Sequence, residues 1–314
     1  MYIVTAGKAF NDIDAYGCAI AYAELLRFEG KEVKAVFIGP LNHSVTPLAI
    51  EQGGEYLAQC SPTADDRVVY VDLSDARHFA FPDLNESQIF EIYDHHYGFE
   101  DYWAPRLGER SHIERVGAAG TLIWEEFVKR GFSKSISSSS ANLLALAILQ
   151  NTLNFTSSET NGRDHQAFAE LAQYLTMASG WQKRYFDECS KGVHEHFAET
   201  LENDTKKIEK YFGAQDFIFS QLEITEEPIA FIDQYKDEID AFWSMFPNGR
   251  HLINIADISS KTSLLYSDDA QWLFEALRSI FPEVTRTSES WIEIPIHQRK
   301  QILKLFNANP IAHL

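Results

Sequence analysis

Four apolar stretches of this 314-residue chain each run into a turn carrying acidic, histidine or amide side chains, and that repetition constrains the fold most. The turns are Asn11-Asp12-Ile13-Asp14-Ala15, Val71-Asp72-Leu73-Ser74-Asp75, Asp94-His95-His96 and Gln150-Asn151 through Phe155. The first three follow β-branched runs at Tyr2 to Ala6, Arg67 to Asp72 and Ile89 to Tyr93, and another such run spans Val33 to Ile38. Residues 14 to 29 have helical spacing, with Ala15, Ala19, Tyr22, Leu25 and Leu26 on one face and Gly30 at the end. Residues 120 to 130 and 140 to 150 read as further helices. Strands separated by helices predict an α/β fold, a mainly parallel sheet with flanking helices. Ligands of such sheets bind at the carboxyl ends of strands, where three of these turns fall.

The length and a hydrophobic content of 45% allow two cores. A boundary is expected around residues 180 to 195, after a helix over 164 to 178. This gives a first domain of residues 1–185 and a smaller α/β C-terminal domain of residues 193–314. In the second domain, 216 to 222, 251 to 258 and 263 to 266 read as strands, with helices near 233 to 245 and 269 to 280. A net charge of −19 argues against a long nucleic acid as partner but leaves room for a small phosphorylated substrate in a locally basic pocket. No apolar run is long enough for a membrane span, and the first residues read as a strand and not as a signal peptide. Cys18, Cys60 and Cys189 form no CxxC pair, which fits free thiols and a cytoplasmic location. A homodimer is left open.

Carboxylates and neutral imidazole together suit hard to borderline divalent cations such as Mn²⁺ and Mg²⁺. A group of carboxylates at one rim repels itself, so a cation is an electrostatic requirement as well as a catalytic one. Taken singly, an Asp after a strand reads equally as a helix cap, and a His pair as a packed, hydrogen-bonded feature. All four turns in order, each after an apolar segment, favour one metal site.

The chain resembles the DHH phosphoesterase superfamily, whose hallmark is the motif Asp94-His95-His96, and is most similar to its manganese-dependent (family II) inorganic pyrophosphatases and exopolyphosphatase-like proteins. The matching segments are Gly7 to Ala23, Val71-Asp72, Tyr93 to His96, Val116-Gly117 with Thr121, Ala147 to Ser157, Asp204 to Lys206, Ile255 to Ile258 and Gln298 to Gln301. The resemblance implies an active site in the cleft between two domains. It implies metal ligands at Asp12, Asp14, Asp72 and His95, and phosphate-holding groups at His96, Lys206, Arg299 and Lys300. The Arg299-Lys300 pair would swing in from the second domain when a polyanion enters, since guanidinium and ammonium both suit phosphate oxygens.

The chain departs from that family within the site. Lys8 stands for its first metal-binding His, Asn151 for the Asp of its fourth segment, Asn11 for a proline and Thr156 for a lysine. Three carboxylates, Asp12, Asp14 and Asp72, remain of four, and Lys8 adds a positive charge, so the balance calls for one divalent ion. The expectation is that the Lys8 ammonium takes the place of the first metal, since a protonated lysine cannot ligate. Asp14, Asp72 and His95, helped by the Asn151 amide oxygen, would hold one Mn²⁺ or Mg²⁺, with Asp12 or Asp75 as general base. His96, Lys206, Arg299 and Lys300 would stabilise charge on the transferring phosphoryl group.

The leading reading is a metal-dependent phosphohydrolase cleaving a phosphoanhydride or phosphoester bond. Its alternatives are a catalytically impaired relative that binds a phosphorylated ligand, and a phosphodiesterase on short oligonucleotides or cyclic dinucleotides. His194 and His196, two apart on a helix, face different ways and read as structural. Gly117 to Gly120 offers backbone amides that suit a phosphate. The aromatic stretch Tyr93, Tyr97, Phe99, Tyr102 and Trp103 reads as core, or as a platform for a base.

Overall fold

In the computed structural model, β1 (Tyr2–Thr5), β2 (Val33–Val36), β3 (Tyr56–Leu57), β4 (Arg67–Val71), β5 (Ile89–Asp94) and β6 (Ser111–Ile113) form one sheet. All are parallel, in the order β3-β2-β1-β4-β5-β6. Val68, Val69, Tyr70 and Val71 of β4 are fully buried, as a central strand covered on both faces requires. The structure describes residues 1–212, 215–258, 260–278, 280–281, 284–286 and 290–308. It divides into two compact units, Met1–Tyr185 and Phe186–Leu314.

The helices of the first unit are α1 (Ile13–Phe28), α2 (Pro47–Glu51), α3 (Glu100–Leu107), α4 (Ala119–Lys129), α5 (Ser138–Asn151) and α6 (Gly162–Leu171). α1 is buried almost all round. At Gly17 a Cβ would stand 2.9 Å from the Leu143 carbonyl oxygen, so glycine is what lets α1 lie against α5. α6 ends earlier than the expected 178, and beyond it the Thr176 amide donates to Asn142 Oδ1 at 3.1 Å. Arg130, just past α4, ties three elements together. It donates to Tyr22 Oη on α1 at 2.6 Å, to Tyr93 Oη on β5 at 3.1 Å and to Glu126 Oε2 on α4 at 2.8 Å.

The second unit contains α8 (Phe197–Asn203), β7 (Thr205–Phe212), β8 (Gln215–Ile224), α9 (Pro228–Gln234), α10 (Lys236–Ser244), β9 (Gly249–Asp257) and β10 (Thr262–Ser267). It continues with α11 (Ala270–Arg278), β11 (Thr285–Arg286), β12 (Trp291–Pro295) and α12 (Arg299–Ala308), while α7 (Trp181–Glu195) spans the division. Its sheet runs β11-β12-β10-β9-β8-β7, with β8 and β9 parallel and the other pairs antiparallel. Alternate residues feed two apolar clusters: Phe217 and Phe219 of β8 pack with Leu277 and Phe306, and Leu222 and Ile224 with Phe231 and Trp243. The single helix expected over 233 to 245 is two, α9 and α10, parted at Tyr235, whose ring stacks on Phe197 at 4.0 Å. Among the described residues no helix is long and apolar enough to cross a membrane.

Candidate metal centre

The chain builds β1, β2 and β3 in one direction and returns to lay β4 on the other side of β1. The neighbouring ends of β1 and β4 are therefore the switch point at which open parallel sheets bind ligands. Asp72 is the first residue past β4, with φ of 56°. The left-handed region is uncommon for any residue other than glycine, and backbone strain of this kind collects at functional sites. The Asp72 amide donates to the Tyr93 carbonyl at 2.7 Å, which fixes this turn beside the end of β5.

His95, 1% exposed, follows β5. Its Nδ1 lies 3.2 Å from the Val116 carbonyl oxygen, which selects the tautomer with the lone pair on Nε2. Nε2 lies 3.3 Å from Asp72 Oδ1 and 3.9 Å from Asp14 Oδ2. Asp72, His95 and His96 can each offer a ligand atom, with these atoms within 4.8 Å of one another. His96 also has Nδ1 2.8 Å from Asp94 Oδ1, so a buried carboxylate orients this half-exposed ring. A carboxylate and two imidazoles in this arrangement, with Asp14 3.9 Å from one of them, are a donor set that fits Mn²⁺ or Mg²⁺.

Asp14 is fully buried in the first turn of α1. Its Oδ2 accepts the Ala119 amide and its Oδ1 the Gly120 amide, each at 2.8 Å, and Cys18 Sγ lies 3.2 Å from Oδ1. Burial, with the charge of Asp12 second, pushes its carboxyl up to about 7 in spite of these donors. Burial also pushes the Cys18 thiol up, and the Asp14 charge adds to the effect. The donors to Asp14 change the reading of Gly117 to Gly120. The Gly117 amide donates to Asp164, and those of Ala119 and Gly120 donate to Asp14, so these three amides serve carboxylates of the chain and not a phosphate.

The other expected site residues are placed differently. Asp12 caps α1, its Oδ1 accepting the Ala15 amide at 2.9 Å. Lys8 is exposed and, among the described residues, has no carboxylate within 4.0 Å. Asn151 is the last residue of α5 and half-buried. Asp75 caps a short turn and grips Arg77, with Nε 2.9 Å from Oδ1 and Nη2 2.6 Å from Oδ2. Arg77 holds its carboxyl below the usual range, a poor setting for the general base expected there.

In the second unit Lys206 is exposed on β7, and Arg299 and Lys300 open α12. The Arg299 guanidinium donates through Nη1 to the carbonyls of Asp204 and of Phe219, the latter at 3.3 Å. Backbone carbonyls of its own unit thus hold one nitrogen of the guanidinium. Of the aromatic stretch, Tyr93 and Trp103 are buried core, while Tyr97 and Tyr102 are partly exposed. The sequence reading missed Cys18, the carbonyl of Val116, the support of Asp94 for His96 and the proximity of His96 to Asp72. Only the support of Asp94 for His96 had a signal, the adjacency of the two residues in the DHH motif.

In sequence the chain is similar to manganese-dependent (family II) inorganic pyrophosphatases. It is 25% identical over 313 residues to the probable manganese-dependent inorganic pyrophosphatase of Lactobacillus delbrueckii subsp. bulgaricus, covering 95% of both chains. Likeness to proteins of the same description is 30% over 174 residues in Deinococcus radiodurans and 32% over 170 residues in Shouchella clausii. Those two alignments span about half of each relative, 52% and 53%. The fold is that of the putative family II inorganic pyrophosphatase of Methanococcus jannaschii, with a TM-score of 0.68 at 19% identity over 98% of this chain and 99% of that one. An exopolyphosphatase-related protein of Bacteroides fragilis gives 0.52 at 12% identity, over 98% of this chain and 90% of its own. No protein-family model matches the chain.

Proposed function

We propose that this chain is a metal-dependent phosphohydrolase that cleaves a phosphoanhydride or phosphoester bond in a small phosphorylated compound, with one Mn²⁺ or Mg²⁺ per chain. The observation that carries the proposal is His95 Nε2, directed by the Val116 carbonyl to a point 3.3 Å from Asp72 and 3.9 Å from Asp14. Names of the relatives support manganese and a phosphoanhydride substrate. Asp14, Asp72 and His95, with Asn151, are the proposed ligands. A bound divalent ion supplies polarisation of a phosphoryl oxygen and a more acidic water.

The chain's own groups do the rest. Asp12 accepts a proton as general base, since Asp75 is held by Arg77. His96, with Nδ1 at Asp94, presents Nε2 to a phosphoryl oxygen and carries a proton there. Lys206, Lys300 and the remaining donors of Arg299 neutralise phosphate charge in the second unit. Cys18, Cys60 and Cys189 are all free thiols, which supports a cytoplasmic setting.

Phosphate release from pyrophosphate and from p-nitrophenyl phosphate, with Mn²⁺ and then with chelator, tests the proposal. Metal-dependent turnover that His95→Ala abolishes is the expected result. A chain that binds Mn²⁺ yet hydrolyses neither compound would instead be the catalytically impaired relative.

A further inference from the structure

The first unit carries the same surface arrangement twice, once closed and once open. In the closed copy Arg106 lies over the Tyr102 ring, 3.7 Å from its centroid, and Tyr102 Oη donates to Glu86. Arg106 Nε reaches that same carboxylate at 3.3 Å, so the three groups satisfy one another. In the open copy Arg115 lies over the Tyr97 ring at 5.2 Å, and Tyr97 Oη donates to Glu159 at 2.6 Å. Here the guanidinium comes within 4.0 Å of no carboxylate, Glu159 included, among the described residues.

The open copy borders the candidate metal centre. Tyr97 directly follows His96, and Arg115 directly precedes Val116, whose carbonyl orients His95. The Arg115 carbonyl accepts Asn161 Nδ2 at 2.8 Å, so its backbone is held. Arg77 and Arg163, on the same carboxyl-end rim, are by contrast paired with Asp75 and with Glu114 and Glu125. A planar cation stacked on a ring, exposed and lacking a carboxylate beside a metal site is suited to bidentate recognition of phosphate oxygens.

We infer that Arg115, laid on Tyr97, binds the second, non-transferred phosphoryl group of the substrate, and so selects compounds with two or more phosphoryl groups over phosphomonoesters. The inference rests on the phosphohydrolase reading and adds to it a residue and a substrate class.

The test is steady-state kinetics of the full chain with Mn²⁺ on pyrophosphate and on p-nitrophenyl phosphate. Arg115→Ala should lower the ratio of kcat/KM for pyrophosphate to that for the monoester by about tenfold to a hundredfold, mainly through KM. Arg115→Lys should recover part of the loss, since the charge remains without the planar fork. Arg106→Ala, which opens the closed copy, should leave the ratio unchanged. An unchanged ratio in Arg115→Ala, or a wild type active on the monoester alone, overturns the inference while the phosphohydrolase reading stands. If the wild type turns over neither compound, that reading fails, and calorimetry with imidodiphosphate decides the inference by itself. Tighter binding by wild type than by Arg115→Ala supports it, and equal or absent binding overturns it.

Discussion

Replacing Asp72 by Asn separates a metal ligand from a structural acceptor, because the structure predicts opposite effects with and without metal. Asp72 has φ of 56°, and Asn is among the residues that adopt the left-handed region readily, so the backbone tolerates the change. The substitution removes the negative charge of a nearly buried carboxylate, 8% exposed, whose desolvation a bound cation offsets. Metal-free Asp72→Asn should therefore melt at or above the wild type. Asp72→Ala removes the same charge but places alanine in that backbone region, at a cost of about 1–2 kcal/mol. Mn²⁺ at a hundredfold excess over Kd adds about 2.7 kcal/mol to the wild type. For a unit the size of Met1–Tyr185, this raises its melting transition by about 5–11 °C. Calorimetric scans with Mn²⁺ and with EDTA measure both effects. A Mn²⁺ shift that survives in Asp72→Asn, or a metal-free variant melting well below the wild type, would refute Asp72 as a ligand.

Asp14 sets the pH dependence of the metal-free chain. Its folded value of about 7 lies above the ordinary 3.8, so the folded state holds the extra proton between the two. The contribution of Asp14 to stability should fall as pH rises from about 4 to about 7, and urea unfolding in EDTA across that range would show the opposite slope if the site were misread. Restoring two ligands with Lys8→His and Asn151→Asp together should raise bound Mn²⁺ from one to two ions per chain by elemental analysis; an unchanged count would sink the charge-replacement reading. Arg130→Met leaves the buried Glu91 and Glu126 without their common cation and should lower stability by about 3 kcal/mol or more, read from urea midpoints. The same variant should still bind Mn²⁺, since none of the proposed ligands is altered.

The first sheet was legible because its central strands are short runs of β-branched and aromatic residues, each ended by a polar turn. β3 and β6 were not, since Tyr56–Leu57 is only two residues long and Ser111–Ile113 carries no apolar pattern. β7, Thr205–Phe212, was hidden by its lysines, which the strand tolerates because it is the last strand of the second sheet. Asp72 and His95 were readable from their places after apolar strands. The partners that set their chemistry were not readable, because they come from far along the chain. The amides of Ala119 and Gly120 lie more than a hundred residues from Asp14, the Val116 carbonyl lies 21 residues from His95, and none of the three carries a side-chain signal. The GAAG segment was visible, but which carboxylates it would serve depends on how α4 meets α1.

The arrangement also bears on how many ions the site holds. Asp72 Oδ1 and Asp14 Oδ2 lie 3.3 and 3.9 Å from the Nε2 of a single imidazole, that of His95, which favours the proposal of one ion. Asp12 caps its helix, and Lys8 is exposed with no carboxylate within 4.0 Å among the described residues. On the proposed charge-replacement reading, a second ion would need the donors that Lys8 and Asn151 do not supply. Counting charge supports the same number: three carboxylates less one ammonium leave two negative charges, which one divalent ion balances. A single ion is a weaker activator of water than a pair, so more of the phosphate charge falls to the chain's own cations. On the proposed reading, Arg115 would be more consequential beside one metal than beside two. The kinetic effect of Arg115→Ala should therefore shrink in the Lys8→His, Asn151→Asp background, and an undiminished effect there would separate anion binding by Arg115 from the number of metals.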